Sequence, residues 1–447
     1  MTGEDKKEHE GLSRRDFLSA ATAVPVLAAC GCAPSVGGAV VQGATRAPLT
    51  EYVPAEGDWP FFLGPEHNGV SREKGLLTEW PAGGPPQVWT RSVGVSYSAP
   101  VVAQGRMVIF QRLENNEVIE CVDSLDGTKT HWTHSYGTRY RDRFNYNGGP
   151  RSTPTIYGDR VYTYGAEGVV TCLDFESGDL IWQRWVNEEF DVPQGFFGVA
   201  TSPVIEGNLL LLNVGGPDGA GVVAFDATTG ETAWKTSDDK ASYSTPIVAT
   251  VNGERLAIFY TADGLLVLEP ETGVERYRYP FRSKARASAL AATPVLVDDI
   301  VFLSATYRVG AVALQLKPDG LVEIWKDERA MQNHWATSIY HDGYLYGMDG
   351  RHERRSNFRC IEFMTGKVMW SADEGLGRST FIMADGHLIA LGEQGALALI
   401  EVSPERYIEK ARVGVLKYPV WIPPVLSHGL LYLRNEQVLE CRDLRMA

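Results

Sequence analysis

The sequence predicts an all-β fold, an eight-bladed β-propeller of four-stranded blades whose ring is closed by an N-terminal strand, and three observations predict it. A short strand opening on Ser/Thr-Pro recurs eight times at intervals of 43 to 54 residues, a period that belongs to propeller blades. Each recurrence is followed by glycine-marked turns where antiparallel neighbours need them. A strand carrying a Trp stands alone before the first repeat, while the last repeat stops one strand short.

The inner strands read SAPVVAQG, STPTIYGD, TSPVIEGN, STPIVATVNG, ATPVLVDD, ATSIYHDG, STFIMADG and PPVLSHG, marked by Pro100, Pro154, Pro203, Pro246, Pro294, Ser338, Phe381 and Pro424. A second run follows the first turn, as in RVYTYGA and IVFLSAT, and a third run ends on an acidic residue. A Gly turn then leads to a last strand with Trp: Gly127 to Trp132, Gly178 to Trp182, Gly230 to Trp234, Gly320 to Trp325 and Gly366 to Trp370. The fourth unit carries Tyr277 in place of Trp, and the seventh has SPERYIEK in place of the Gly turn. The eighth unit ends at VLECRDLRMA, and the orphan strand PPQVWTRSV (85–93) supplies the strand it lacks. Closing the ring in this way pairs both open edges. Residues 85–447 then divide into about 45 residues for each of eight blades.

The 447 residues carry 42 Lys+Arg against 56 Asp+Glu, a net charge of −14. That balance excludes general nucleic-acid binding, which needs a basic footprint. Of six cysteines, Cys121, Cys172, Cys360 and Cys441 occupy one slot of the repeat, two residues before an acidic residue. Equivalent slots in different blades stand far apart, so four buried thiols are expected rather than two disulfides. With no CxxC pair, zinc-ribbon and c-type haem chemistry have no support.

Ahead of the propeller, SRRDFL places Arg14 and Arg15 before an apolar stretch from Phe17 to Ala29, too short to span a bilayer, which takes about 20 residues. This segment (1–29) resembles a twin-arginine export signal. Leu27-Ala28-Ala29-Cys30 resembles a lipobox, which implies cleavage before Cys30 and its acylation. Residues 30–57 then read as a lipidated tether and 58–84 as a lead-in segment. The expected location is the periplasm or cell envelope, held to a membrane through the lipid alone.

The repeat resembles the pyrroloquinoline-quinone (PQQ) repeat, clearest in GDRVYTYGAEGVVTCLDFESGDLIW (158–182), and the likeness covers nearly all of 85–447. The segment 58–86 is similar to the lead-in of exported PQQ-like propellers of planctomycete-type bacteria. The resemblance implies two kinds of relative. Quinoprotein alcohol and sugar dehydrogenases hold PQQ and a divalent cation at the axis; their adjacent cysteine pair is missing here, and no position matches their Asp base or metal ligands. The propeller lipoprotein of the outer-membrane β-barrel assembly machinery has no catalytic centre and presents its surface to a partner. Fold alone does not choose between them.

The residue three before each inner-strand marker gives Tyr97, Arg151, Ala200, Tyr243, Ala291, Trp335, Arg378 and Trp421. Such a ring of aromatics and arginines suits planar rings, sugars or carboxylates, with the alternative that the rings pack between blades and the arginines meet acidic neighbours. His334 is the histidine of this axial set. The same class of loop holds Arg139, Arg141 and Arg143; Arg282, Lys284 and Arg286; Arg308; and Arg351, Arg354 and Arg355, which would make one face locally positive, unless Asp142, Asp238, Asp239, Asp349 and Glu353 pair with them. The sequence thus predicts a monomeric, non-catalytic envelope binding or scaffold lipoprotein for a protein partner, an anionic ligand or a polysaccharide. No cofactor is expected under that reading; the alternative is a PQQ-dependent dehydrogenase of an alcohol or sugar, with calcium.

Overall fold

The computed structural model describes residues 41–42 and 47–446, apart from 286–287, 353–354 and 374. Arg14, Arg15, Cys30, Arg286 and Arg354 lie outside the described residues. Eight antiparallel sheets form the blades in chain order. The first comprises Val101–Ala103, Arg106–Leu113, Asn116–Asp123 and Thr130–Gly137, and the pattern repeats to the eighth. There Val425–Ser427, Leu430–Arg434 and Val438–Asp443 take Gln87–Ser92 as their outer strand. The orphan strand therefore closes the ring, with Trp89 opposite Cys441.

Two sequence signals acquire physical roles. Where the next blade has the Gly turn, the Trp of the outer strand lies over its glycine: a Cβ on Gly178 would sit 2.6 Å from the Trp132 ring, one on Gly230 2.7 Å from Trp182 and one on Gly127 2.7 Å from Trp89. The indole N–H donates to a carbonyl of that same turn, Trp132 to Phe175 at 2.9 Å and Trp182 to Ala227 at 3.0 Å. Gly178 and Gly230 both have φ +76°, a conformation glycine adopts without strain. Where Tyr277 replaces Trp, its hydroxyl reaches the Lys317 carbonyl at 2.8 Å instead.

Hydroxyls before the inner strands tie neighbouring blades near the axis. The amides of Ala99, Thr153, Ser202 and Thr293 donate to Thr153 Oγ1, Ser202 Oγ, Thr245 Oγ1 and Thr337 Oγ1, each in the following blade. Thr153, Ser202 and Thr245, which stand directly before Pro154, Pro203 and Pro246, act in this way. The apolar cores lie between blades: Tyr162, Val170 and Trp182 of the second blade pack on Leu210, Leu212 and Phe225 of the third. Each such side chain contributes about 1.5–3 kcal/mol by leaving water.

Cys121, Cys172, Cys360 and Cys441 are buried thiols without disulfides. They stand opposite Trp132, Trp182, Trp370 and Trp89 across the outer strand pairs, so the slot is small because its partner is large. Ala224 and Ala313 fill the same role opposite Trp234 and Trp325. In the seventh blade, which lacks the Trp, Leu399 faces Ala411.

The stretch assigned to a tether meets the propeller before residue 57. Val41–Gln42 adds a fifth strand to the second blade beside Trp182 and Gln183, and Tyr52 packs edge-on to Tyr157. The lead-in runs in the axial channel, where the free edges of the inner strands hold it. Trp59 exchanges backbone hydrogen bonds with Val102 of the first blade, Pro60 accepts from Ile156 of the second, and Gly69 and Ser71 bracket Met383 of the seventh. Trp59, Phe61 and Leu63 are buried there.

Candidate functional site

Above this plug lies a cavity of about 230 Å³ whose walls include all eight symmetric positions: Tyr97, Arg151, Ala200, Tyr243, Ala291, Trp335, Arg378 and Trp421. His334 joins them, and Phe62 and Leu63 of the lead-in also line it. The convergence follows from the fold, because each blade begins its inner strand at the same height and so sends the same loop position toward the axis. Sequence reasoning missed Tyr146 and Phe197, which complete the wall. Both come from connections between blades whose lengths do not repeat, so no symmetric offset marks them.

Each arginine of the ring is already partnered. Arg151 bonds Asp142 Oδ2 at 2.8 Å, with both side chains almost fully buried, and donates to the carbonyls of Gly149 and Asn147. Its guanidinium lies 5.5 Å over Tyr97 and 5.0 Å over Tyr140. Arg378 grips the carboxylate of Glu393, whose side chain has no exposed surface, through Nε at 3.0 and 2.9 Å and through Nη2. It lies 4.8 Å over Trp335 and 5.4 Å over Trp421, and the Trp421 N–H also donates to Glu393 at 3.2 Å. Glu393 sits in the turn between the second and third strands of the seventh blade. The cavity wall is thus aromatic and nearly neutral, with its cations locked by buried acids.

His334 is not a solvated loop residue: its ring packs 4.7 Å from Trp335 and its Nε2 lies 3.2 Å from the Tyr307 hydroxyl. Burial first, then the charges of Arg378 and Arg351, pull its pKa down to about 3. An imidazole so depressed is neutral across physiological pH and a weak proton acceptor. Burial also raises the Tyr97 and Tyr243 phenols above their usual range. His334 Nδ1 and Trp335 Nε1 are buried without hydrogen-bond partners.

Of the predicted basic loops, Arg141 lines a second and larger hollow, a groove of about 1070 Å³ over blades two to four, together with Arg139, Lys240, Arg282 and Lys284. Arg143 and Arg308 are exposed but belong to the walls of neither hollow. The rim acids are partly engaged: Asp239 pairs with Arg278 at 2.7 Å and Asp349 with Arg359 at 2.8 Å.

The site's residues do not fit PQQ with a cation. PQQ is a tricarboxylate, and the two arginines of the cavity are committed to Asp142 and Glu393. Among the described residues no three His, Cys, Asp or Glu side chains gather to hold a metal.

The family model described as "Outer membrane protein assembly factor BamB" matches residues 42–184 and 115–372. Among curated proteins, the outer membrane protein assembly factor BamB of Burkholderia pseudomallei (strain K96243) is 25% identical over 231 residues, 49% of this chain and 54% of that protein. The BamB of Yersinia pestis is 22% identical over 292 residues, 60% of this chain and 69% of the relative. The chain therefore spans little more than half the length of the first of these relatives. Among solved structures, BamB from Moraxella catarrhalis superposes with a TM-score of 0.58 at 12% identity, over 81% of this chain and 98% of that one. The quinohemoprotein alcohol dehydrogenase from Comamonas testosteroni gives 0.61 at 12% identity, over 88% and 81%. Both structural likenesses are of fold. With the eight closed blades and a family match across most of them, this chain belongs to the PQQ-like propeller family described as outer membrane protein assembly factor BamB.

Proposed function

We propose that this propeller is a non-catalytic binding protein of the cell envelope, exported and lipid-anchored at Cys30, that docks a partner protein on its loop face. The observation that carries this reading is a collar of exposed rings at the cavity mouth. Phe144, Tyr146 and Tyr418 are 51%, 45% and 53% exposed, Tyr146 and Tyr418 lie against Trp421, and Phe144 against Phe197. Exposed aromatics beside arginines are the composition of interface hot spots. The names of the curated relatives, which refer to outer-membrane protein assembly, support an envelope setting.

Photo-crosslinking in intact cells tests it. A photoreactive amino acid at Phe144 or Tyr418 is expected to trap one discrete envelope protein, whereas one at Asp298, in the turn between the first two strands of blade five, traps none. Equal trapping from both positions, or none from either ring, contradicts the reading.

A further inference from the structure

The groove over blades two to four is positive in a chain of net charge −14. Its walls present Arg139, Arg141, Lys240, Arg282 and Lys284 against Glu167, Glu188 and Asp263. Arg282 is paired with Asp263 at 3.0 Å, and Glu167 accepts from the Thr138 hydroxyl and the Arg139 amide. Arg139, Arg141, Lys240 and Lys284 are all exposed, and none makes an ion pair among the described residues. This contrasts with the axial cavity, where both arginines are locked.

Groove and cavity adjoin, since Ala200 and Tyr243 line both. At the junction Phe196 faces the groove and Phe197 the cavity, with Phe144 against each at 5.7 and 5.6 Å. Ala166, Gly198, Gly215 and Ala241 keep the groove wall close to backbone level, so an extended chain can lie against it. One end of the hollow is therefore a neutral aromatic socket and the other a row of free cations.

We propose that this combined hollow binds an extended acidic segment of a partner protein, one aromatic side chain entering the cavity and flanking carboxylates meeting Arg139, Arg141, Lys240 and Lys284. The proposal rests on the reading of the loop face as a docking surface. A polyanionic sugar would match the cations, but it carries charge along its whole length, whereas the socket is aromatic with its arginines already neutralised; an uncharged aromatic side chain between flanking carboxylates fits both ends, which favours a peptide. Free cations at an interface raise capture rate and enforce partner sign, and salt weakens them.

The test is fluorescence anisotropy with a labelled heptapeptide, Glu-Asp-Glu-Trp-Glu-Asp-Glu, and the full chain. Binding is expected to weaken at least tenfold in the Lys240→Glu/Lys284→Glu variant, at least tenfold when alanine replaces the peptide tryptophan, and to vanish when lysines replace its acids. The two lysines are exposed, and circular dichroism melting checks that the variant is folded. Equal affinity for the alanine peptide, tighter binding of a galacturonate hexamer than of the peptide, or no peptide binding overturns the proposal. If the peptide fails while crosslinks from Phe144 still trap one envelope protein, this proposal falls and the docking reading stands; if both fail, the docking reading falls with it.

Discussion

Asp142 and Glu393 set the character of the axial cavity, because each neutralises an arginine that the ring positions would otherwise offer to a ligand. Removing one partner of a buried pair leaves an uncompensated charge, at a cost of about 3–5 kcal/mol. Glu393→Gln is therefore expected to lower stability by about that amount in chemical denaturation, whereas the apolar pair Arg378→Met/Glu393→Leu recovers most of it; a small loss in the single variant would mean the pair is not desolvated as described. Glu117 offers a pH-dependent counterpart. It is fully buried, accepts from the Ala166 amide at 2.9 Å and the Tyr136 hydroxyl at 2.8 Å, and burial raises its pKa to about 6 from 4.5. A carboxyl with a raised folded pKa favours the folded state when protonated, so its contribution is intact below pH 4.5, falls as pH rises to 6 and stays lost above. The difference amounts to about 2 kcal/mol. Glu117→Gln, compared with the native protein at pH 4.5 and 7.5, is expected to gain that much relative stability at the higher pH. An unchanged difference between the two pH values counts against it.

At the scale of the element, the Trp over the turn glycine joins the apolar core and the axial hydroxyl bonds in holding most blades to their neighbours, and within the blade the volume of that Trp is matched by the residue opposite. Gly178→Val forces a Cβ into the Trp132 ring at a φ of +76° and is expected to cost about 3 kcal/mol or more through overpacking and left-handed strain. Cys441→Leu adds volume opposite Trp89 and is expected to cost about 1–3 kcal/mol; adding Trp89→Ala should make the leucine substitution far less harmful, as in the Leu399 and Ala411 pair of the seventh blade. Additive losses in the double variant would contradict the volume match. These features were legible in sequence because they repeat: the Gly turn, the Trp and the small slot recur at one spacing. The outer strands that depart from the pattern were legible as departures, and only the structure shows the Tyr277 hydroxyl doing the work of an indole N–H.

Across the whole molecule, the number of blades and the closing strand could be read from the period, since a ring needs every edge paired. The eight axial positions could be read as well, because symmetry carries a fixed offset to a fixed radius. What could not be read belongs to segments that do not repeat. The lead-in gave no sign that it enters the channel, as nothing in DWPFFLGPEHNGV is periodic; its apolar Trp59, Phe61 and Leu63 fill a space that only the closed ring creates. The pairing of Arg151 with Asp142 and of Arg378 with Glu393 depends on loop paths of unequal length, and it turns a ring that looked cationic into a neutral one. It is on that change that the proposed binding role rests, against a quinone-metal centre. The most direct measurement is calorimetric titration of the purified protein with PQQ and calcium, paired with a dye-linked assay on alcohols and sugars. A docking propeller shows no stoichiometric binding and no turnover; saturable one-to-one binding with dye reduction would overturn that reading and make this propeller a dehydrogenase.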